Sequence, residues 1–414
     1  NITWPTGIGW SGGSAPTLLN VNKEDPYEGQ VFLLVTRDMG VTWYGKEVVN
    51  VDAKVPYSLW GVGNGDKGAL GLNEEVNLSS PTQIPGTNWG KVYIQLGIGA
   101  EGPFSVATKA DGTMWAWGYN NFGTLGDNSR TNRSSPTQLP GTTWDTVTVG
   151  WKGVASVKTD GTLWQWGHGQ AGNLGVNNDT QYSSPVQLPG TNWSNSAGAI
   201  SKGDWFSHAI KTDGTLWGWG LNENGQIGNG SRTYYSSPMQ IPGTTWRSVR
   251  DGSAHTIATK TDGTLWVWGI SNNGVSGQNT PAVRFSSPTQ VGTDTTWKDA
   301  QVLTYYNAFA IKTDGTLWTW GQNNGAQLGH NNETSYSSPT QVGTDTTWSS
   351  IGGEVHAIKT DGTLWWWGDN GDGKSGLNQP TSYKRSSPTQ VGTDTDWIAG
   401  TNMGSNILFS RSLP

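Results

Sequence analysis

The chain has 414 residues, of which 60 are Gly and 26 are Trp, and only 14% carry charge. Average chains hold roughly 7% Gly and about 25% charged residues, and disorder, which needs few aromatics and a high net charge, is excluded. A net charge of −6 offers no basic excess to neutralise phosphates, which disfavours nucleic acid as a partner, and no run of 18 apolar residues marks a membrane-spanning helix.

The chain holds no Cys, so neither disulfides nor thiolate metal sites arise. It begins at Asn1 without a signal-peptide pattern, as expected of a processed or trimmed product. Residues 1–55 stand apart from the rest of the chain. Trp4-Pro5, Gly12-Gly13 and Ala15-Pro16-Thr17-Leu18 read as extended segments with Gly and Pro turns. Val31 to Asp38 followed by Thr42-Trp43-Tyr44-Gly45 reads as a hairpin. This pattern resembles a short β-rich element of phage tail and other virion structural proteins, and the resemblance implies attachment to a virion. The residues alone fit equally an extra strand pair capping the next domain.

From residue 56 to 414 the sequence repeats. Asp-Gly-Thr-Leu/Met-Trp-x-Trp-Gly occurs six times, ending at Gly118, Gly167, Gly220, Gly269, Gly321 and Gly368. Leu59-Trp60-Gly61-Val62-Gly63 is a seventh, degenerate copy, and the terminal glycines are spaced by 47 to 55 residues. Ser-Ser-Pro occurs seven times, from Pro81 to Pro388, each followed by a Trp (Trp89, Trp144, Trp193, Trp246, Trp297, Trp348 and Trp397). Seven units rich in strand formers and Gly turns predict an all-β, seven-bladed β-propeller. Within a unit, Asp-Gly supplies the positive φ of a hairpin turn, and the two Trp of Trp-x-Trp share one sheet face and pack on the neighbouring blade. After Trp397 only Ile407-Leu408-Phe409-Ser410 remains, without an Asp-Gly-Thr partner. These C-terminal strands are therefore expected to pair with the strand around Trp60 in a composite closing blade.

Asp-Gly-Thr-Leu-Trp-x-Trp-Gly followed by Asn-x-x-Gly-x-Leu-Gly resembles the regulator-of-chromosome-condensation repeat family. That resemblance covers about residues 56 to 411 and implies a seven-bladed propeller with composite end blades. Members include nucleotide-exchange factors, a plant ultraviolet receptor, a secreted β-lactamase inhibitor, and phage and bacterial surface proteins. The Arg-flanked Trp cluster of the plant receptor is not matched, and neither a basic tail nor an insertion like the exchange factors' wedge is found.

An enzyme needs titratable or nucleophilic groups that converge. Asp111, Asp160, Asp213, Asp262, Asp314 and Asp361 recur once per unit and read as turn residues. His208, His255 and His356 lie before the repeat turns, His168 and His330 lie in Gly-rich loops, and none has zinc-site spacing. Asp369-Asn370-Gly371-Asp372-Gly373 lacks the acidic residue that closes a calcium loop and reads as a tight turn. No P-loop is present. The inventory implies a non-enzymatic protein without cofactor or metal, although Glu101 and Asp204 are candidates for a glycosidase carboxylate pair.

Surface residues remain. Those preceding Ser-Ser-Pro, namely Leu78, Arg133, Tyr182, Tyr235, Phe285, Tyr336 and Arg385, are expected to form a rim, and six are aromatic or Arg, the types enriched at binding hot spots. Packing over their own loops is the alternative. Trp151, Trp205, Tyr305 and Tyr306 break the repeat pattern individually and form the primary candidate binding set. The expected function is a virion surface protein of tail-fibre or decoration type, outside the cell. Its expected partners are a host surface glycan or protein and, through residues 1–55, other virion proteins. The second expectation is a secreted bacterial protein-binding propeller similar to the β-lactamase inhibitor.

Overall fold

The computed structural model describes residues 57–63, 65–89, 102–280, 282–302, 306–351, 355–370, 375–379, 382–403 and 406–412, together with the backbone of Ile8–Trp10, Val31–Thr36 and Trp43–Val48. The chain divides into two compact units, Asn1–Lys54 and Val55–Pro414. In the first, Val31–Thr36 and Trp43–Val48 pair antiparallel as the hairpin pattern predicts. Ile8–Trp10 adds a third strand parallel to Trp43–Gly45, which the sequence does not foretell.

The second unit is an all-β propeller. Six antiparallel four-stranded sheets are present among the described residues where the repeat predicts seven. The remaining repeat contributes a three-stranded sheet, Phe104–Thr108, Met114–Gly118 and Arg133–Gln138. One four-stranded sheet joins the ends of the unit in the order Trp397–Met403, Asn406–Ser412, Tyr57–Gly63 and Leu78–Trp89.

A single blade shows why the repeat takes this form. Its strands are Trp246–Asp251, His255–Lys260, Leu265–Asn272 and Ala282–Gln290. The Asp262 carboxylate accepts hydrogen bonds from the Thr264 amide (3.0 Å) and hydroxyl (2.6 Å), and this hydroxyl accepts one from Trp266 Nε1 (2.8 Å). The Thr264 hydroxyl, above all, holds the Asp262 carboxyl below the usual range. Gly263 has φ +78°, and a Cβ there would lie 1.9 Å from the Thr295 carbonyl oxygen, so only Gly fits. Asp-Gly-Thr-Leu-Trp is thus a self-bonded turn that aims its own Trp.

Trp268 is buried and donates Nε1 to the Gln226 carbonyl of the preceding blade at 2.7 Å. Trp246 meets Trp266 and Trp268 at centroid distances of 6.1 and 5.8 Å, and the Lys260 ammonium caps Trp246 and Trp266 at 4.7 and 4.4 Å. Equivalent Trp donors to preceding-blade carbonyls recur at Trp117, Trp166, Trp219, Trp320 and Trp367. Both sheet faces are therefore covered, which explains apolar strands without strict alternation.

In two blades the Lys that caps the Trp pair also forms an ion pair: Lys312 with Asp294 and Lys359 with Asp345, each at 2.5 Å. Burial alone would raise these carboxyls, but the Lys and Thr donors override it and hold both at about 2 against an ordinary 3.8. Depressed carboxyl pKa values contribute stability above the unfolded value and lose it as pH falls through the folded one. Urea titrations are therefore expected to show the midpoint dropping between pH 3.8 and about 2, and Asp294→Asn with Asp345→Asn should flatten that drop. An unchanged slope in the double variant would refute the assignment.

A candidate aromatic binding surface

In each four-stranded blade the link between the first two strands lies at the same sheet end as the link between the last two, while Asp-Gly-Thr turns close the opposite end of all but the composite blade. Trp151 sits in the first link of one blade, between Trp144–Gly150 and Gly153–Lys158. Trp205 holds the matching link of the next blade, between Ile200–Lys202 and Phe206–Ile210. The two half-buried rings meet edge to face at 4.8 Å.

Three further side chains complete the patch. The Lys152 ammonium lies 4.1 Å from the Phe122 ring centre, 4.3 Å from that of Trp151 and 6.0 Å from that of Trp205. The His168 ring meets both Trp205 and Phe122 at 5.2 Å, and the buried Tyr119 backs Phe122 at 6.1 Å. Backbone bonds fix the arrangement: the His168 amide donates to the Lys152 carbonyl and the Leu221 amide to the Trp205 carbonyl, both at 2.8 Å. Beside Trp205, burial pushes the Asp204 carboxyl up, only partly offset by Ser253. Among the described residues Lys152 forms no ion pair. The patch is thus apolar with one cation held over ring faces, a geometry suited to side-chain stacking.

Tyr306 does not join this patch. It lies two blades further on, with φ +61° and its ring stacked on the buried His255 at 6.0 Å. Burial pushes the His255 imidazole down to about 4. Tyr305, Glu101 and the turn residues 371–373 lie outside the described residues.

The predicted rim positions share one geometry, each facing the terminal Gly of its repeat: Leu78 opposite Gly63, Arg133 opposite Gly118, Tyr182 opposite Gly167, Tyr235 opposite Gly220, Phe285 opposite Gly269, Tyr336 opposite Gly321 and Arg385 opposite Gly368. Their side chains serve their own surroundings. Arg133 grips Asp127 with Nε and Nη2 at 3.2 and 3.0 Å, while the Tyr182 and Tyr336 hydroxyls accept from Asn178 and Asn332 at 3.3 and 3.1 Å. Tyr235 bonds Ser231 at 3.2 Å, Phe285 packs on the core, and Arg385 lies 5.0 Å above Tyr383.

Phe122, Lys152 and His168 escaped the sequence reading, and Lys152 alone left a signal, one of repeat register rather than of local pattern. Pro103, Lys152, Trp205, Ala254 and Tyr306 occupy one equivalent position, whose carbonyl accepts the amide of the residue following the terminal Gly. Reading that column shows where large residues replace small ones.

The RCC1-like domain family model matches residues 58–409. The ultraviolet-B receptor UVR8 of Arabidopsis thaliana is 28% identical over 183 residues, 43% of this chain and 40% of the receptor. The mitochondrial RCC1 domain-containing protein RUG3 of the same plant is 28% identical over 284 residues, 66% of this chain and 63% of RUG3. This chain therefore spans less than two thirds of either relative. Among solved structures, Saccharomyces cerevisiae Prp20p aligns with a TM-score of 0.72 at 18% identity, covering 87% of this chain and 92% of Prp20p. Human WBSCR16 aligns with the same score at 17% identity, covering 86% and 99%. These matches overturn the virion-surface role, together with its host-glycan and virion-protein partners: that expectation rested on residues 1–55, whereas the family match runs through the whole repeat array and leads to cellular proteins. The chain belongs to the RCC1-like domain family.

Proposed function

We propose that this chain is a non-enzymatic, seven-bladed propeller that binds a protein partner through Trp151, Trp205, Phe122, His168 and Lys152. The convergence of four half-buried rings and one unpaired ammonium from three successive repeats carries the reading. Every other lysine seen over a Trp pair, such as Lys158 or Lys260, belongs to the repeat and stabilises its blade. Lys152 does not. Protein binding by this fold has precedent, since Prp20p is described with binding to Gsp1p and histones. The count of seven takes the three-stranded sheet as a blade. It is supported by seven amide-to-carbonyl bonds between neighbouring repeats, from Asn73 to Ser134 at 2.7 Å round to Asn378 to Ser79 at 3.1 Å.

Random peptides displayed on particles and selected on the intact chain provide the test. Selected peptides are expected to bind Trp151→Ala with Trp205→Ala at least tenfold more weakly, because each truncated hot-spot Trp costs about 2 kcal/mol. The melting transition should move little. Peptides that bind the double variant as well as the parent would refute the site.

A further inference from the structure

Beneath the aromatic patch lies a lysine that no repeat requires. Lys202 is buried, and its ammonium faces four oxygens: Gln165 Oε1 (3.0 Å), the Asn173 carbonyl (3.0 Å), Asn173 Oδ1 (2.9 Å) and Ser207 Oγ (3.0 Å). Gln165 and Asn173 belong to the preceding blade, and Asn173 sits in the same loop as His168. The aliphatic stem of Lys202 runs flush against the turn that carries Trp151 and Lys152. A Cβ at Gly150 would lie 2.8 Å from Lys202 Cγ, and one at Gly153 would lie 2.7 Å from Cε. Along the chain, Gly203 and Asp204 alone separate Lys202 from Trp205.

One residue therefore ties together all three segments that build the patch: its side chain touches the Gly150–Gly153 turn and the loop from His168 to Asn173, and its backbone leads directly into the Gly203–Trp205 link. We propose that Lys202 is a positioning residue whose ammonium sets the relative placement of Trp151, His168 and Trp205. Three N–H donors of an ammonium serve four acceptors, whereas a neutral amine offers two. Proton loss therefore releases at least one tie.

Burial drives the Lys202 amine down to about 7, opposed by the Asp251 charge, so the ties change across neutral pH. The other titratable groups facing this region are Asp204 on its own link, His208 on the adjacent strand, Lys152 on the Gly150–Gly153 turn and His168 in the loop. The inference rests on the patch being the docking surface, but its test reads the free chain, so failure of either idea is seen separately.

The full chain labelled with 5-fluorotryptophan is followed by fluorine NMR, with Trp151 and Trp205 assigned through Trp151→Phe and Trp205→Phe. Both resonances are expected to titrate near pH 7 and to keep doing so in His168→Gln. Asn173→Asp places a carboxylate beside the ammonium and should move the midpoint up by a unit or more. Lys202→Met keeps the stem, so it should abolish the titration and shift both resonances while Trp320 and Trp367 stay in place. The proposal is overturned if the Trp151 and Trp205 resonances do not titrate, or if Asn173→Asp leaves the midpoint unmoved. Should Lys202→Met fail to fold, Asn173→Asp and His168→Gln alone still decide the question.

Discussion

Trp268→Ala is expected to destabilise the propeller by about 3–5 kcal/mol, the range found for large aromatic truncations in cores. The indole is fully buried between two blades. Its Nε1 bonds the Gln226 carbonyl at 2.7 Å, its ring meets Trp246 at 5.8 Å on one side, and the His208 ring lies 5.6 Å away on the other. Two hydrogen-bonded sheets wall this site, so the space left behind has little means of collapsing. Gln226 O retains the Thr256 hydroxyl at 3.1 Å, so the main loss is packing rather than an orphaned carbonyl. Trp266→Ala supplies the internal comparison. That ring is half-buried under Lys260 and bonds only the Thr264 hydroxyl of its own turn, so a smaller loss is expected. Equilibrium urea unfolding of the two variants checks the ranking. A loss below about 1 kcal/mol for Trp268→Ala would be incompatible with an inter-blade keystone.

The contrast between these two Trp also marks how far the sequence was legible. Asp262-Gly263-Thr264-Leu265-Trp266 bonds itself within five residues, so a local pattern is enough to read the turn, the strand and the face. The joining of Asn406–Ser412 to Tyr57–Gly63 was legible for a related reason, since each end of the array lacked what the other held. Trp151 and Trp205 stood out because they depart from the repeat, and their contact follows from successive blades presenting the same link side by side. Lys152 and His168 were hidden. A lysine in a Gly-flanked turn and a histidine after a terminal Gly carry no local signal, and their meeting with Phe122 depends on how one loop leans over the next. Tyr306 shows the converse limit: it departs from the repeat as Trp205 does, yet its stacking partner is His255 rather than the patch. Its partner comes from the blade immediately before its own, and which residue waits there is something no periodicity reports.

Departures from the repeat inside the core follow the same logic and lead to the second large effect. In Trp-x-Trp the middle residue of one blade is Gly218, and the residue directly across the ladder is His208. A Cβ at Gly218 would lie 2.8 Å from the imidazole, so the missing side chain is the space His208 fills. His208 Nδ1 faces Asp251 Oδ1 at 2.7 Å and Nε2 faces the Ile227 carbonyl at 3.1 Å, both within a fully buried setting. A partner therefore faces each ring nitrogen, and the imidazole is tied at both ends. Asp251 in turn accepts from the Thr256 hydroxyl at 3.0 Å and is held in place through its own amide, which donates to Ser201 at 2.7 Å. Removing Asp251 leaves the buried His208 Nδ1 without its hydrogen-bond partner, and Asp251→Ala is expected to cost about 1–3 kcal/mol. Asp251→Asn keeps an acceptor near Nδ1, so a smaller loss is expected. If the penalty is that of a stranded imidazole nitrogen, His208→Leu should recover much of it in the Asp251→Ala background, because an apolar pair leaves no buried polar group unsatisfied. Unfolding free energies of the wild type, both single variants and the double variant close the cycle. Strictly additive losses would show that His208 and Asp251 contribute separately, and that their hydrogen bond is not what fixes the junction of these two blades.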